Sequence, residues 1–338
     1  MGRRSNKEII FILIVWNPGL SSCGSPVFYF LTAGVTLMSL LLLQLFNGLS
    51  LSSILLLIAL GLSITFGLMN VINMAHGEFI MIGAYMAYVA QQFFQKNIPQ
   101  EYFGLYYLIS IPLAFGVAFV IGWILEVLLI RFLYGRPLDS LLATWGVSLV
   151  LQQLVKTIFG APNVAVKAPA WLEGGWRINA DLYLPHKRLF IIGLATLCIL
   201  VIYLYLYRSA GGRRTRAVMQ NRNMASCLGI STRKLDAQAF AFGSGIAGIA
   251  GCALSLLGPI GPSIGNYYIV DAFMVVVLGG IGQIAGAVAG ALGIGIFNTT
   301  FEYLTSASIG KVLVFTLIIA FLQWKPSGLV SVKSRVLD

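Results

Sequence analysis

Long apolar runs, separated by short polar breaks, occupy nearly the whole chain. A helix needs about 20 apolar residues to cross the roughly 30 Å hydrocarbon core of a bilayer. Apolar runs of about that length or somewhat shorter lie at residues 27–46, 51–69, 80–94, 105–130, 138–159, 189–207, 237–257, 268–298 and 312–324. The pattern predicts an all-α, polytopic membrane bundle of about eight to ten transmembrane helices, including broken or re-entrant segments.

The composition excludes an ordinary water-soluble globule. Of the 338 residues, 58% are hydrophobic and only 10% are charged, whereas soluble domains carry about 25% charged residues. The net charge of +11 at pH 7 is explained by an excess of Lys and Arg in cytoplasmic loops, so no nucleic-acid partner is expected. The arginine-rich connection at 208–236 is predicted to be cytoplasmic, and counting spans outward from it places both chain ends in the cytoplasm.

The first residues do not continue this pattern, because a short basic stretch precedes an apolar run that is too short to span a bilayer. We interpret residues 1–26 as a loosely attached extension or a misassigned start. Residues 27–338 are expected to form one transmembrane domain that carries the cytoplasmic loop 208–236. Within this domain, Asn47 and Gly48 are expected to separate the first two spans.

Four polar side chains lie close together before the third span, namely Asn70, Asn73, His76 and Glu78. Ionisable residues inside a membrane are costly and usually face a pathway or a partner. The four residues therefore predict a broken or re-entrant segment beside a polar path. The alternative for Glu78 is a capping role, since a carboxylate is favoured near a helix N-terminus.

A second break is the glycine-rich stretch 279–283. Discontinuous helices at membrane depth persist where they line a cavity or are buried in protein. Gly279, Gly280 and Gln283 are therefore candidate pathway residues. The small residues spaced by four within 243–251 instead predict close packing between helices.

The loop 208–236 contains a short amphipathic pattern between residues 215 and 229, which ends at a glycine in the position of a C-cap. A helix of this kind docks in a partner's groove or lies on anionic lipid headgroups. The candidate docking residues are Arg216, Met219, Gln220, Asn221, Arg222, Met224, Ala225, Leu228 and Gly229.

The sequence has no catalytic constellation. It lacks a phosphate-binding loop, a zinc-hydrolase motif and a nucleophile elbow. Its four cysteines have no metal-site spacing. We therefore expect no enzymatic activity, no cofactor and no metal in this chain.

Three stretches resemble the permeases of ABC importers of the branched-chain amino-acid type. They are Ile-Thr-Phe-Gly-Leu-Met with Val-Ile-Asn-Met-Ala-His-Gly-Glu within residues 64–78, the segment 216–230 with its Ala225 and Gly229, and the glycine-rich stretch 279–286. The resemblance extends from about residue 44 to about residue 334.

Two further stretches resemble the urea-transporting permeases of that family most. They are Ala-Thr-Trp-Gly-Val-Ser-Leu-Val-Leu-Gln-Gln at 143–153 and Tyr-Ile-Val-Asp-Ala-Phe-Met-Val-Val-Val at 268–277. The resemblance implies a permease subunit of a urea importer in a bacterial plasma (inner) membrane. It also implies four kinds of partner: the lipid bilayer, a second homologous permease, two cytoplasmic ATPases that hold ATP and Mg, and an external substrate-binding protein.

The resemblance further implies how the segment 216–229 works. It would dock in a groove of one ATPase, so that closure of the ATPases moves the membrane helices between outward- and inward-facing states. Urea is small, neutral and rich in donors and acceptors, so the candidate contacts are Thr65, Asn70, Asn73 and Gln283.

Three other functions stay open at this stage. A branched-chain amino-acid permease would show a wider and more apolar path. A urea channel would work without any ATPase. A membrane scaffold without transport would tolerate changes at residues 279–283 as long as packing is maintained.

Overall fold

The structure is a computed structural model that describes residues 26–69, 71–177 and 183–330. Its α-helices are α1 (Pro26–Met69), α2 (His76–Asn97), α3 (Tyr106–Leu128), α4 (Pro137–Phe159), α5 (His186–Arg208), α6 (Ala210–Gln220), α7 (Arg222–Cys227), α8 (Thr232–Leu254), α9 (Ile264–Gly279), α10 (Ile284–Leu304) and α11 (Ala307–Trp324). Three short 3-10 helices lie at Gln100–Leu105, Ile130–Phe132 and Ala170–Leu172. Strands β1 (Gly175–Arg177) and β2 (Tyr183–Pro185) form an antiparallel hairpin.

The described residues form a polytopic helical bundle, as the apolar runs predict. Seven helical segments in this part of the chain are long and apolar enough to cross a membrane, and α9 is a shorter apolar helix. Helix α2 has 22 residues but is more polar, because it carries His76, Glu78 and Lys96. The predicted break after Gly279 is confirmed, since α9 ends there and α10 begins at Ile284.

The bundle has two ends, which we name by their most prominent feature. At the arginine face, α6 and α7 meet the turn after α3, where the Arg222 guanidinium lies over the Tyr134 ring. At the hairpin face, the 3-10 helix Ala170–Leu172, which precedes the β1–β2 hairpin, lies against the 3-10 helix Gln100–Leu105, because the Trp171 indole donates a hydrogen bond of 3.1 Å to the Gly104 carbonyl. The basic loop and the aromatic stretch before α5 therefore lie at opposite ends of the bundle.

The expectation of two helices before Met69 is wrong, because α1 is continuous from Pro26 to Met69. A glycine inside a helix costs only about 1 kcal/mol, and Gly48 allows close packing, since a Cβ there would lie 3.1 Å from the Ile296 Cα of α10. The Asn47 carbonyl accepts a bond of 3.5 Å from Arg188, at the hairpin face. Within the described residues, Asn47 of α1 therefore lies at the hairpin face, and the segment after α11 lies at the arginine face, where the Leu329 amide donates to the Leu278 carbonyl. The expected placement of both chain ends in the cytoplasm stays a prediction, because residues 331–338 at the C-terminus also lie outside the described part of the chain. Residues 1–25 lie outside the described part of the chain.

Helix α8 lies at the centre of the bundle, against α1, α2 and α3. Glycines allow this close approach. A Cβ on Gly243 would lie 2.6 Å from the Gly61 carbonyl oxygen in α1, and a Cβ on Gly248 would lie 2.6 Å from the Ala114 oxygen in α3. The packing role predicted for the small residues within 243–251 is therefore confirmed.

Candidate functional site

Helix α2 begins in the interior of the bundle. The buried imidazole of His76, its first residue, donates through Nε2 to the Ile58 carbonyl at 3.1 Å. Ile58 lies 11 residues before the end of α1, or about 16 Å along the helix axis. The connection between α1 and α2 therefore returns to mid-depth before α2 starts, as expected for a broken segment. Asn70 lies outside the described residues.

The Glu78 carboxylate lies in the first turn of α2, near the helix N-terminus, and forms hydrogen bonds with α4. Its Oε1 accepts hydrogen bonds from the Ser148 hydroxyl at 2.7 Å and from the Gln152 amide at 2.8 Å. The Gln152 amide also lies 3.3 Å from Asn266 Oδ1 in the first turn of α9. We call Glu78, Ser148, Gln152 and Asn266 the polar cluster.

The polar cluster is buried on one side and reaches the surface on the other. Glu78 is 1% exposed and Ser148 is 3% exposed, whereas Asn266 is exposed. A buried carboxylate is costly unless hydrogen bonds compensate for lost hydration. The hydroxyl and amide donors of α4 supply that compensation.

A polar stripe on α4 builds this arrangement. Thr144, Ser148 and Gln152 are spaced by four residues and therefore share one face of the helix. The Thr144 hydroxyl accepts a bond of 3.1 Å from the Met74 backbone amide, which ties α4 to the connection before α2. Sequence analysis missed Ser148, Gln152 and Asn266, although three polar residues at this spacing in an apolar span could have indicated a polar face.

Several polar atoms beside the cluster make no hydrogen bond in the described structure. They are both amide atoms of Asn73, the Nδ1 of His76 and the Oε2 of Glu78, and all are buried. A buried polar group without a partner costs about 1–3 kcal/mol. These atoms therefore leave unused hydrogen-bonding capacity in the interior of the bundle.

The other predicted pathway residues lie elsewhere. The Thr65 hydroxyl bonds within its own helix, to the Leu62 carbonyl at 3.0 Å. Gly279 packs on Gly286 at the start of α10, and Gly280 ends α9 with a φ of +100°. These residues and Gln283 are not in the polar cluster, because the break after α9 lies at the arginine face.

Gln283 instead lines a cavity of about 780 Å³ at the arginine face. The cavity lies between α1, the end of α5, α6 and the break after α9. Its lining includes Ser63, Tyr207, Thr215, Arg216, Met219, Gln220 and Gln283. The Arg216 guanidinium lies 4.8 Å from the centre of the Tyr207 ring. Arg216, Met219 and Gln220, which we predicted as docking residues, therefore border this cavity.

The predicted docking segment consists of two helices rather than one. Helix α6 ends at Gln220, and Asn221 caps α7 by accepting a bond of 3.0 Å from the Met224 amide. Gly229 has a φ of +80° and follows the end of α7, as its predicted C-cap position requires. On α7 and its C-cap, Met224 and Leu228 are 60% and 75% exposed, whereas Ala225 is 2% exposed.

A polytopic bundle with a buried ionisable residue in its interior is typical of proteins that move solutes or ions across a membrane. Comparison with known protein families identifies the family of this chain. The family described as "Branched-chain amino acid transport system / permease component" matches residues 44–322. The chain therefore belongs to this family of transport permeases.

Similar proteins carry the same description. The chain is 32% identical to the high-affinity branched-chain amino acid transport system permease protein LivH of Escherichia coli over 293 residues, which cover 85% of this chain and 94% of LivH. It is 30% identical to BraD of Pseudomonas aeruginosa, with the same coverage. It is 25% identical to a second E. coli permease protein, LivM, over 83% of this chain and 68% of LivM. No solved structure matches the chain significantly.

Proposed function

We propose that this chain is one of two permease subunits in an ATP-driven importer of a bacterial plasma (inner) membrane. The proposal is supported by the similarity to two differently named permeases of one transport system, LivH and LivM. A second homologous permease, two cytoplasmic ATPases and an external binding protein would complete the assembly. ATP and Mg would be held by the ATPases, and this chain would need no cofactor. Alternating access would be driven through α7, whose exposed Met224 and Leu228 offer apolar contacts to an ATPase groove.

For the substrate we propose urea, and the observation that carries this choice is the polar cluster. Urea has four N–H donors and one carbonyl acceptor, so carboxylate, amide and hydroxyl groups bind it better than an apolar wall does. Ser148 and Gln152, which bond to Glu78, belong to the stretch 143–153 that resembles urea permeases.

The second candidate is a branched-chain amino acid, which the names of the relatives favour. An aliphatic side chain needs an apolar pocket along its route, because burying it next to unpaired polar atoms gains little. Urea therefore requires polar groups along its route, whereas a branched-chain amino acid requires an apolar pocket for its side chain.

The test is uptake into vesicles that carry the reconstituted complex, with and without this subunit. Labelled urea and labelled leucine are offered separately, with and without ATP. Urea uptake that requires both ATP and this chain supports the proposal. Uptake of leucine alone assigns the chain to amino-acid transport, and urea flux without ATP identifies a channel.

A further inference from the structure

Arg222, at the start of α7, is bonded to its own chain. Its Nη1 donates to Asp236 Oδ1 at 3.2 Å, and its Nη2 donates to Asp236 Oδ2. The two parallel bonds form a bidentate pair, which is stronger and more directional than a single contact. Asp236 is in α8, so this ion pair joins the docking segment directly to the central helix of the bundle.

Only one of the two side chains in this ion pair is fully buried. The Asp236 side chain is fully buried, whereas the Arg222 side chain is 37% exposed. A buried carboxylate requires its partner, because removal of that partner leaves an uncompensated charge. Asp236 is enclosed by this chain and cannot be contacted directly by an ATPase, and Arg222 joins it to the exposed segment by two hydrogen bonds.

A second contact extends the connection to α3. The Arg222 guanidinium lies 5.3 Å from the centre of the Tyr134 ring, and the Tyr134 hydroxyl donates to Glu126 Oε1 at 2.6 Å. Glu126 is near the end of α3 and is 3% exposed. Arg222 therefore contacts α8 directly and α3 through Tyr134.

We propose that the Arg222–Asp236 ion pair is a positioning element that transmits movement of α7 to α8 and α3, and that Arg222 is not a docking contact. The inference rests on the proposed importer function, in which α7 receives the movement of an ATPase. The two sides of the segment then have separate tasks. Met224 and Leu228 bind the ATPase, and Arg222 ties the bound segment to the membrane helices.

The experiment compares variants of the full complex. Asp236→Asn and Arg222→Gln remove the ion pair, and Leu228→Ala truncates the exposed surface. As a control, Arg233→Gln removes an exposed positive charge from the first turn of α8. For each complex, one measures the ATPase that co-purifies, the rate of ATP hydrolysis and the amount of solute taken up per ATP. Hydrogen exchange of the backbone amides at 222–228 reports independently on how firmly α7 is held.

Asp236→Asn and Arg222→Gln should retain the ATPase but lower solute uptake per ATP about tenfold, within the usual range of coupling between sites. Both should increase amide exchange at 222–228. Leu228→Ala should instead lower the amount of bound ATPase, and Arg233→Gln should behave like the wild type.

The inference is overturned if Asp236→Asn leaves uptake per ATP and amide exchange unchanged, or if it releases the ATPase as Leu228→Ala does. A wild-type complex without ATP-driven uptake overturns the proposed function instead. In that case the exchange measurement by itself decides whether the ion pair holds α7.

Discussion

The contact between α1 and α8 makes a quantitative prediction for Gly243→Ala. The added Cβ would lie 2.6 Å from the Gly61 carbonyl oxygen and 2.9 Å from the Thr65 methyl group. An ordinary contact begins at 3.4 Å, so the two helices would have to separate by about 0.8 Å, the difference between 3.4 and 2.6 Å. The first of these neighbours is backbone, which cannot move away as the end of a flexible side chain can.

Two opposing effects set the magnitude. Overpacking a well-packed core costs about 1–3 kcal/mol, whereas replacing a helical glycine by alanine gains about 0.5–1 kcal/mol. Gly243→Ala should therefore lower the free energy of unfolding by up to about 2.5 kcal/mol. The matched control is Gly116→Ala in α3, where nothing lies within 4 Å of the added Cβ. It should raise the free energy of unfolding by about 0.5–1 kcal/mol.

The assay is reversible unfolding of both variants in mixed micelles, followed by loss of helicity and compared with the wild type. The prediction concerns only the sign of the difference in free energy of unfolding between the two variants. It therefore does not require the absolute stability of the protein. If Gly243→Ala is as stable as Gly116→Ala, the close contact between α1 and α8 is not present in the folded protein.

Three further predictions follow from the same geometry. Gln152→Leu should lower urea uptake by about tenfold, because it removes a hydrogen-bond donor from a buried carboxylate at a cost of about 1–3 kcal/mol. The control Gln153→Leu, at the exposed neighbouring position, should leave uptake unchanged. Equal effects of the two variants would contradict a role for the polar cluster. Gly280→Ala should lower the free energy of unfolding more than Gly135→Ala does in the same micelles. Both glycines have a positive φ, but only at Gly280 would the added Cβ lie against backbone atoms. Equal losses of free energy of unfolding would contradict that packing. The exposed thiol of Cys227 on α7 should react with a maleimide in the isolated permease and should be protected when the ATPase is bound. A labelling rate that the ATPase does not change would argue against docking at α7.

The helices could be predicted from the sequence because apolar length alone identifies most of them. The exception is α1, where Asn47 and Gly48 are typical of a turn but lie inside a helix. At Gly48 the deciding contact is with Ile296 in α10. A local signal cannot reveal a partner almost 250 residues away along the chain, and tertiary packing overrides it.

Only part of the candidate site could be predicted from the sequence, because some of its residues meet only through tertiary packing. His76 and Glu78 could be recognised because ionisable residues in an apolar region are conspicuous. The spacing of Ser148 and Gln152 could have indicated a polar face on α4, but their pairing with Glu78 could not be predicted, because only the fold brings them together. The glycine break was recognised as a break, but its depth depends on where α9 starts, which local sequence does not determine.

The distance between the polar cluster and the cavity at the arginine face bears on the route of the solute. Ile58, which bonds to His76, and Gly67, which lines the cavity, are nine residues apart on α1, or about 14 Å. Between them, Gly61 packs against Gly243 of α8 with the backbones in direct contact. A solute that moved through the interior of this chain would have to separate α1 from α8 at that layer. The polar cluster, by contrast, reaches the outer surface of the described residues at Asn266.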